Sequence, residues 1–330
     1  MISSRARFPI PALHTFGRAG ALLALALSPL AAADPLKPGE PVVLKLTSDR
    51  EGALRESPVI LLPTIYLDLG VAGKVSALKQ GGSGTAKAKA AWATGGIDKA
   101  FVQGLAQKIQ DDLAAKLRAA GYTVKLYADL QDREGIKNAA RRDPNPAWGV
   151  PLATSDVIGC LALTAAPSDA QAFKIGFRGA IFDQFMSRGR STLGEGTIFI
   201  PTYTFMAPQA WATTERGYKR VTATANVAHG MNLSSASLRV LTEKGGWGGI
   251  GTKEQVINIG EKVGDLTAKD TTDNLGNTIS AALGTLLGTA SIKGASGYYH
   301  LEVDRAAYEA AVLRGAFAFN DAIAATVKKK

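Results

Sequence analysis

A helix set between two strands constrains this chain more than any other segment. Phe101, Leu105, Ile109, Leu113 and Leu117 recur at four-residue spacing, Asp98 stands where an N-cap belongs and Gly121 supplies a stop, so the spacing predicts a helix over 98–120. Before it, PVILLPTIYLDL (58–69) is β-branched and apolar on both faces, as in a strand covered from both sides, with Pro63 interrupting it. After it, Tyr122, Val124 and Leu126 alternate with Thr123, Lys125 and Tyr127, the period of a strand. Together they form a β-α-β unit. If its strands neighbour each other in one sheet, they run parallel with a right-handed crossover.

The rest of the chain is read against that unit. Residues 34–57 are a Pro-, Gly- and charge-rich lead-in with one short alternation at Val42, Leu44 and Leu46. KVSALKQGGSGTAKAKAAWATGG (74–96) reads as a mobile basic loop whose Lys74, Lys79, Lys87 and Lys89 could contact an anionic ligand. It lacks the Gly-Lys-Ser/Thr ending that a phosphate-cradling loop needs. A charged connection (128–155) with Pro144 and Pro146 holds a short helix over 133–142, and DVIGCLALTA (156–165) reads as a buried strand. Period-two alternation over 196–205, 219–229 and 234–241 points to antiparallel strands. GGWGGIG (245–251) reads as a glycine turn joining SLRVL to QVINIG (255–260) in a hairpin. Helical spacing returns at Leu275, Ile279, Leu283, Leu286 and Leu287, followed by a strand at 298–303 and a last helix from Asp304 that buries Tyr308, Val312, Phe319 and Ile323. No period of 20 to 50 residues repeats, which argues against a solenoid or propeller. The fold class is therefore α/β or α+β: a mixed β-sheet with packed helices and a late antiparallel section. Residues 58–260 make the sheet domain, and 261–330 a helical segment packing on it.

The first 33 residues have the form of a cleavable export signal. Arg5, Arg7 and Arg18 carry no balancing acid, an apolar run follows from Ala19 to Leu30, and Ala31, Ala32 and Ala33 precede Asp34. The run is shorter than the roughly 20 residues of a bilayer-spanning helix. No cysteine follows it to accept a lipid anchor. The expected compartment is the periplasm, with outer-membrane association open. The formal charge of +10 falls to +7 once the three arginines leave. That scattered excess suits solubility or loose attraction to anionic surfaces. Nucleic acid is not an expected partner of an exported chain. Cys160 is the only cysteine, so no internal disulfide can form, and its apolar setting in VIGCLAL favours a buried hydrophobe over a reactive thiol.

The inventory of chemical groups is thin. His14 belongs to the leader, and His229 and His300 fall on separate strands without carboxylates or thiols at ligand spacing. Gly-x-Ser-x-Gly is absent. Ser76-Ala77-Leu78-Lys79 matches Ser-x-x-Lys, the spacing that on a helix lets lysine face a serine nucleophile, but its companion motifs are missing. No catalytic, metal-binding or cofactor-binding residue is nominated. Gly276, Ser280, Gly284 and Gly288 lie four apart, a small-residue stripe that would let another backbone approach closely, with packing against a sheet or a neighbouring subunit favoured over membrane insertion.

The order of elements resembles the periplasmic domain of the curli-secretion-channel family. The stretches that carry the resemblance are VILLPTIYLD, the helix over 98–120, YTVKLY, Arg133, Gly135, Ile136 and Asn138 in REGIKNAARR, SDVIGCLALT with Gly159, and NLSSASLRVLTEKGG (232–246). The resemblance implies a ring-forming envelope component with a periplasmic α/β domain. The expected function is non-enzymatic, an exported envelope protein that assembles with itself or with an envelope partner to build or secrete a surface or adhesive structure. A periplasmic ligand-binding module using the basic loop is the alternative, and a Ser76/Lys79 hydrolase the third reading.

Overall fold

A computed structural model describes residues 36–37, 40–81, 84–155, 160–174, 183–187, 190–216, 221–252, 256–268 and 297–328. The leader lies outside the described residues, as does the small-residue stripe of Gly276, Ser280, Gly284 and Gly288.

The lead-in ends in strand β1 (Leu46–Asp49) and a helical turn α1 (Glu51–Leu54). Pro63 divides the apolar run that follows into β2 (Val59–Leu62) and the long β3 (Tyr66–Gly81), which pairs with β4 (Gly84–Gly95). Helix α2 (Lys99–Ala119) comes next, its first turn held by the Asp98 carboxylate, which accepts from the Phe101 amide at 2.8 Å. The chain leaves the helix through Gly121 at φ +93, a left-handed conformation that glycine adopts without strain. Strand β5 (Thr123–Leu126) then pairs with β2 in parallel, Val59 opposite Thr123 through Leu62 opposite Leu126. This is the expected β-α-β unit.

Short helices α3 (Tyr127–Leu130) and α4 (Glu134–Asn138) lead to β6 (Leu152–Ser155), β7 (Cys160–Ala165) and the two-residue strands β8 (Met186–Ser187) and β9 (Arg190–Ser191). A run of strands follows: β10 (Thr197–Met206), β11 (Gln209–Arg216), β12 (Val221–Ala228), β13 (Asn232–Leu241), β14 (Trp247–Thr252), β15 (Ile257–Asn258) and β16 (Gly264–Ala268). Strand β17 (Gly297–Val303) and helix α5 (Arg305–Val327) complete the described chain.

Among the described residues thirteen strands form one mixed sheet, in the order β1-β14-β13-β10-β3-β4-β17-β16, with β2, β5, β6, β7 and β15 joined to it off that path. Alternation along β10 shows how its two faces are covered. Phe199 and Tyr203 belong to the main core with α2 and α5, whereas Ile198 and Ile200 join Leu61, Tyr66, Ile136, Phe173 and Phe185 in a second cluster. Leu61 divides from Ile60 and Leu62 in the same way. That two-sided cover is why the segment 59–62 is apolar at every position. In the main core Tyr308, Val312, Phe319 and Ile323 of α5 are fully buried, as their spacing predicts, and the Tyr203 ring meets Phe319 edge-on at 5.8 Å. Helix α5 is long and apolar enough to cross a membrane, but that apolar side is occupied by this core.

Two expectations are corrected. The segment 74–96 is no mobile loop but the distal part of β3 and nearly all of β4, paired continuously from Ala72–Ala93 to Gly81–Gly84. Its Lys-Ala alternation has the strand period, which the glycines around 81–84 obscured. Likewise GGWGGIG is not a turn. The turn lies at Thr242–Gly246, and β14 pairs along β13 from Leu241–Trp247 to Ser237–Gly251. The glycines serve close approach, since a Cβ at Gly249 would lie 2.7 Å from the Leu238 carbonyl oxygen. Strand β10 is also more than an antiparallel strand: it pairs with β13 antiparallel and with β2 and β3 in parallel.

Candidate functional site

The feature that departs most from an ordinary sheet domain is a pair of hairpins. In β3–β4, directly opposed residues share a face, so register divides the side chains into two sets. One set pairs Lys74 with Ala91, Ser76 with Lys89 and Leu78 with Lys87. The other pairs Gly73 with Trp92, Val75 with Ala90, Ala77 with Ala88 and Lys79 with Ala86. Lys74, Ser76, Leu78 and Lys87 are exposed, while Ala77, Ala90 and Trp92 are buried. The hairpin is therefore amphipathic: a lysine face turned to solvent and a small-residue face turned inward.

Its cover is the second hairpin, β11–β12, which packs across β3 and β4. It has the same division. Ala210, Ala212, Ala223, Ala225 and Val227 lie on one face, and Trp211, Thr213, Glu215, Thr222, Thr224 and Asn226 on the other. Ala210, Ala212, Ala223, Ala225 and Val227 are half-buried, as are Trp211, Thr213 and Asn226 opposite, while Thr214, Glu215, Thr222 and Thr224 towards the tip are exposed. Small side chains let two such layers approach closely.

Buried hydrogen bonds root both hairpins in the body. The Thr94 hydroxyl at the base of β4 donates to the Ala207 carbonyl at 2.7 Å, just before β11. At the first residue of β11, the Gln209 amide donates to the Met231 carbonyl at 3.2 Å and to the Asn258 side-chain oxygen. Beyond these roots the strands have no other partners among the described residues. Past Ala72, β3 pairs with β4 alone; before Ala90, β4 pairs with β3 alone; β11 and β12 pair only with each other. At about 3.3 Å per residue, Lys74–Gly81 extends roughly 26 Å with its outer ladder edge unpaired among the described residues.

The candidate residues from the sequence separate on this frame. Lys74, Lys87 and Lys89 share the exposed face, and the like charge of Lys87 beside it, with that of Lys74, lowers the Lys89 pKa. Lys79 falls on the opposite face. Ser76 and Lys79 therefore point away from each other, because residues three apart on a strand lie on opposite sides, and the Ser-x-x-Lys pair is not assembled. His300 on β17 approaches Glu302 at 3.1 Å, and His229 sits on the exposed turn after β12. No group of three His, Cys, Asp or Glu side chains able to hold a metal occurs among the described residues. Cys160 is buried, and desolvation pushes its thiol pKa up to about 12, the setting of an inert side chain.

Two features escaped the sequence reading. The first is β11, whose alternation of Ala210, Ala212 and Thr214 with Trp211, Thr213 and Glu215 was a usable signal. The second is Asp68, placed between Thr164 of β7 and Thr204 of β10, both buried. Burial raises its pKa; donation from the Thr164 hydroxyl and the charge of Arg142 oppose that rise. Nearby, the Tyr66 hydroxyl donates to the Phe173 carbonyl at 3.0 Å, with the Arg141 guanidinium 4.2 Å from the Phe173 ring centre. A lone acid within the apolar stretch 65–72 gives no periodic signal.

Comparison with protein-family models, with curated protein sequences and with solved structures returns no match.

Proposed function

We propose that this protein is an exported, non-enzymatic envelope component that self-associates through its double hairpin and serves the assembly or secretion of a surface structure. The observation that carries the reading is the set of ladder edges on β3, β4, β11 and β12 that are unpaired among the described residues. An unpaired edge presents a row of backbone donors and acceptors to any strand that can add to it, and natural domains usually shorten, cover or charge such edges. Here β3 and β4 do carry lysines, but the edges are long and repeated on two stacked hairpins, which suits strand addition between copies. The leader-like N-terminus and the resemblance to the curli-secretion-channel family support the envelope setting.

The test is made in cells. Replacing residues 76–89 by Asn-Gly closes the first hairpin on the Val75–Ala90 pair, and replacing 213–224 by Asn-Gly closes the second on Ala212–Ala225. The parent is expected in the envelope fraction as a cross-linkable ladder of multimers, and the doubly trimmed protein as a single species. Parent material that remains in the cytoplasm, or multimers unchanged by trimming, would contradict the reading. A parent that cross-links to nothing in the periplasm would favour the binding-module alternative.

A further inference from the structure

We propose that the exposed face of the β3–β4 hairpin docks onto a membrane surface rich in anionic lipid phosphate. The face is a two-stranded ladder on which Lys74, Lys87 and Lys89 surround Ser76 and Leu78. Lys87 lies directly opposite Leu78, and Lys89 opposite Ser76. Neither Lys74 nor Lys87 forms an ion pair with a carboxylate among the described residues.

Leu78 selects this partner among the anionic ones. It is 59 % exposed, one of three large apolar side chains so exposed among the described residues. A single exposed leucine is ordinary. One set between lysines on a projecting ladder can enter the boundary between headgroups and acyl chains while the ammonium groups meet phosphate. A single-stranded nucleic acid would call for aromatic side chains to stack on, and this face offers none. Docking requires the hairpin alone, not self-association, so the two proposals fail separately.

The experiment uses the full chain purified from expressing cells, whichever fraction holds it, so that any leader left on the chain is common to all variants. It is sedimented with vesicles of phosphatidylglycerol and phosphatidylcholine in equal parts, and with phosphatidylcholine alone. The parent is expected to partition onto the anionic vesicles, and to be released by high salt. K74Q/K87Q/K89Q should weaken partitioning about a hundredfold, and Leu78→Ser about tenfold. The control K108Q/K137Q/K262Q removes as many exposed charges elsewhere and should bind within about twofold of the parent. A parent indifferent to phosphatidylglycerol, or a triple variant equal to the control, would overturn the proposal. Capture by soluble polyglutamate with Leu78→Ser unchanged would overturn it in favour of an acidic polypeptide. Should the triple variant melt early, the parent decides: partitioning that survives high salt refutes a lysine-driven dock.

Discussion

Asn320 is a polar side chain with no exposure in the middle of α5, and its partners explain why it is tolerated. Its amide nitrogen donates to the Ile109 carbonyl at 3.1 Å and to the Asp112 carboxylate at 2.8 Å, while its oxygen accepts from the Tyr203 hydroxyl, so α2, α5 and β10 are tied at one point. Asn320→Ala should cost about 1–3 kcal/mol in urea unfolding, since it orphans buried groups, and adding Tyr203→Phe should cost less than the two single changes summed. Two aspartates should respond to pH with opposite sign. The Phe101 amide, with Arg305, lowers the Asp98 pKa, so its stabilisation is present above the ordinary carboxylate range and is lost as pH falls. Asp98→Ala should therefore cost about 1 kcal/mol near neutrality and less in acid, read from melts across pH. Burial raises the Asp68 pKa, so the native state holds its proton longer than the unfolded chain and stability falls as pH rises through that window. Asp68→Asn should then be more stable than the parent near neutrality, with the gain vanishing in acid. Cys160 should stay unmodified by an aromatic disulfide reagent until denaturant is added.

Elements with one dominant signal were legible in the sequence. Helix α2 had both its cap and its spacing, α5 had Asp304 and a full apolar side, and β2 was marked by its unbroken apolar run. The hairpins were not, because their periodicity is carried by alanine, threonine and lysine rather than by large apolar residues, and glycine at the first tip imitated a loop. Of the candidate site, the four lysines could be collected by composition, but only register separates Lys79 from the other three. Close packing also leaves no trace in periodicity. A Cβ at Gly135 in α4 would lie 2.0 Å from the Thr192 hydroxyl oxygen and 2.9 Å from a Leu193 methyl, with Leu193 buried. Gly135→Ala is accordingly expected to lower stability by about 1–3 kcal/mol, measured by thermal or urea melts, even though alanine is the better helix former.

At the scale of the whole molecule, the α/β character followed from local patterns, whereas the order of the sheet did not. Strand β10 runs parallel to β3 from more than a hundred residues away, and β17 returns from farther still to lie parallel to β4, with Gly297 opposite Ala90. Such pairings are fixed by which apolar faces can share one core, a property of the assembled sheet. One consequence is that both hairpins spring from neighbouring roots, Thr94 and Ala207, although their sequences are far apart. What those roots project is two stacked hairpins whose outer edges are unpaired among the described residues, the edges through which one copy is proposed to join another. Light scattering on the purified, size-fractionated protein measures this most directly. The account predicts a mass several times that of the monomer for the parent, and the mass of one chain for the variant with 76–89 and 213–224 each replaced by Asn-Gly, with the circular dichroism of α2 and α5 retained. A parent that is monomeric at every concentration, or a trimmed protein that keeps the parent's multiple, would contradict it.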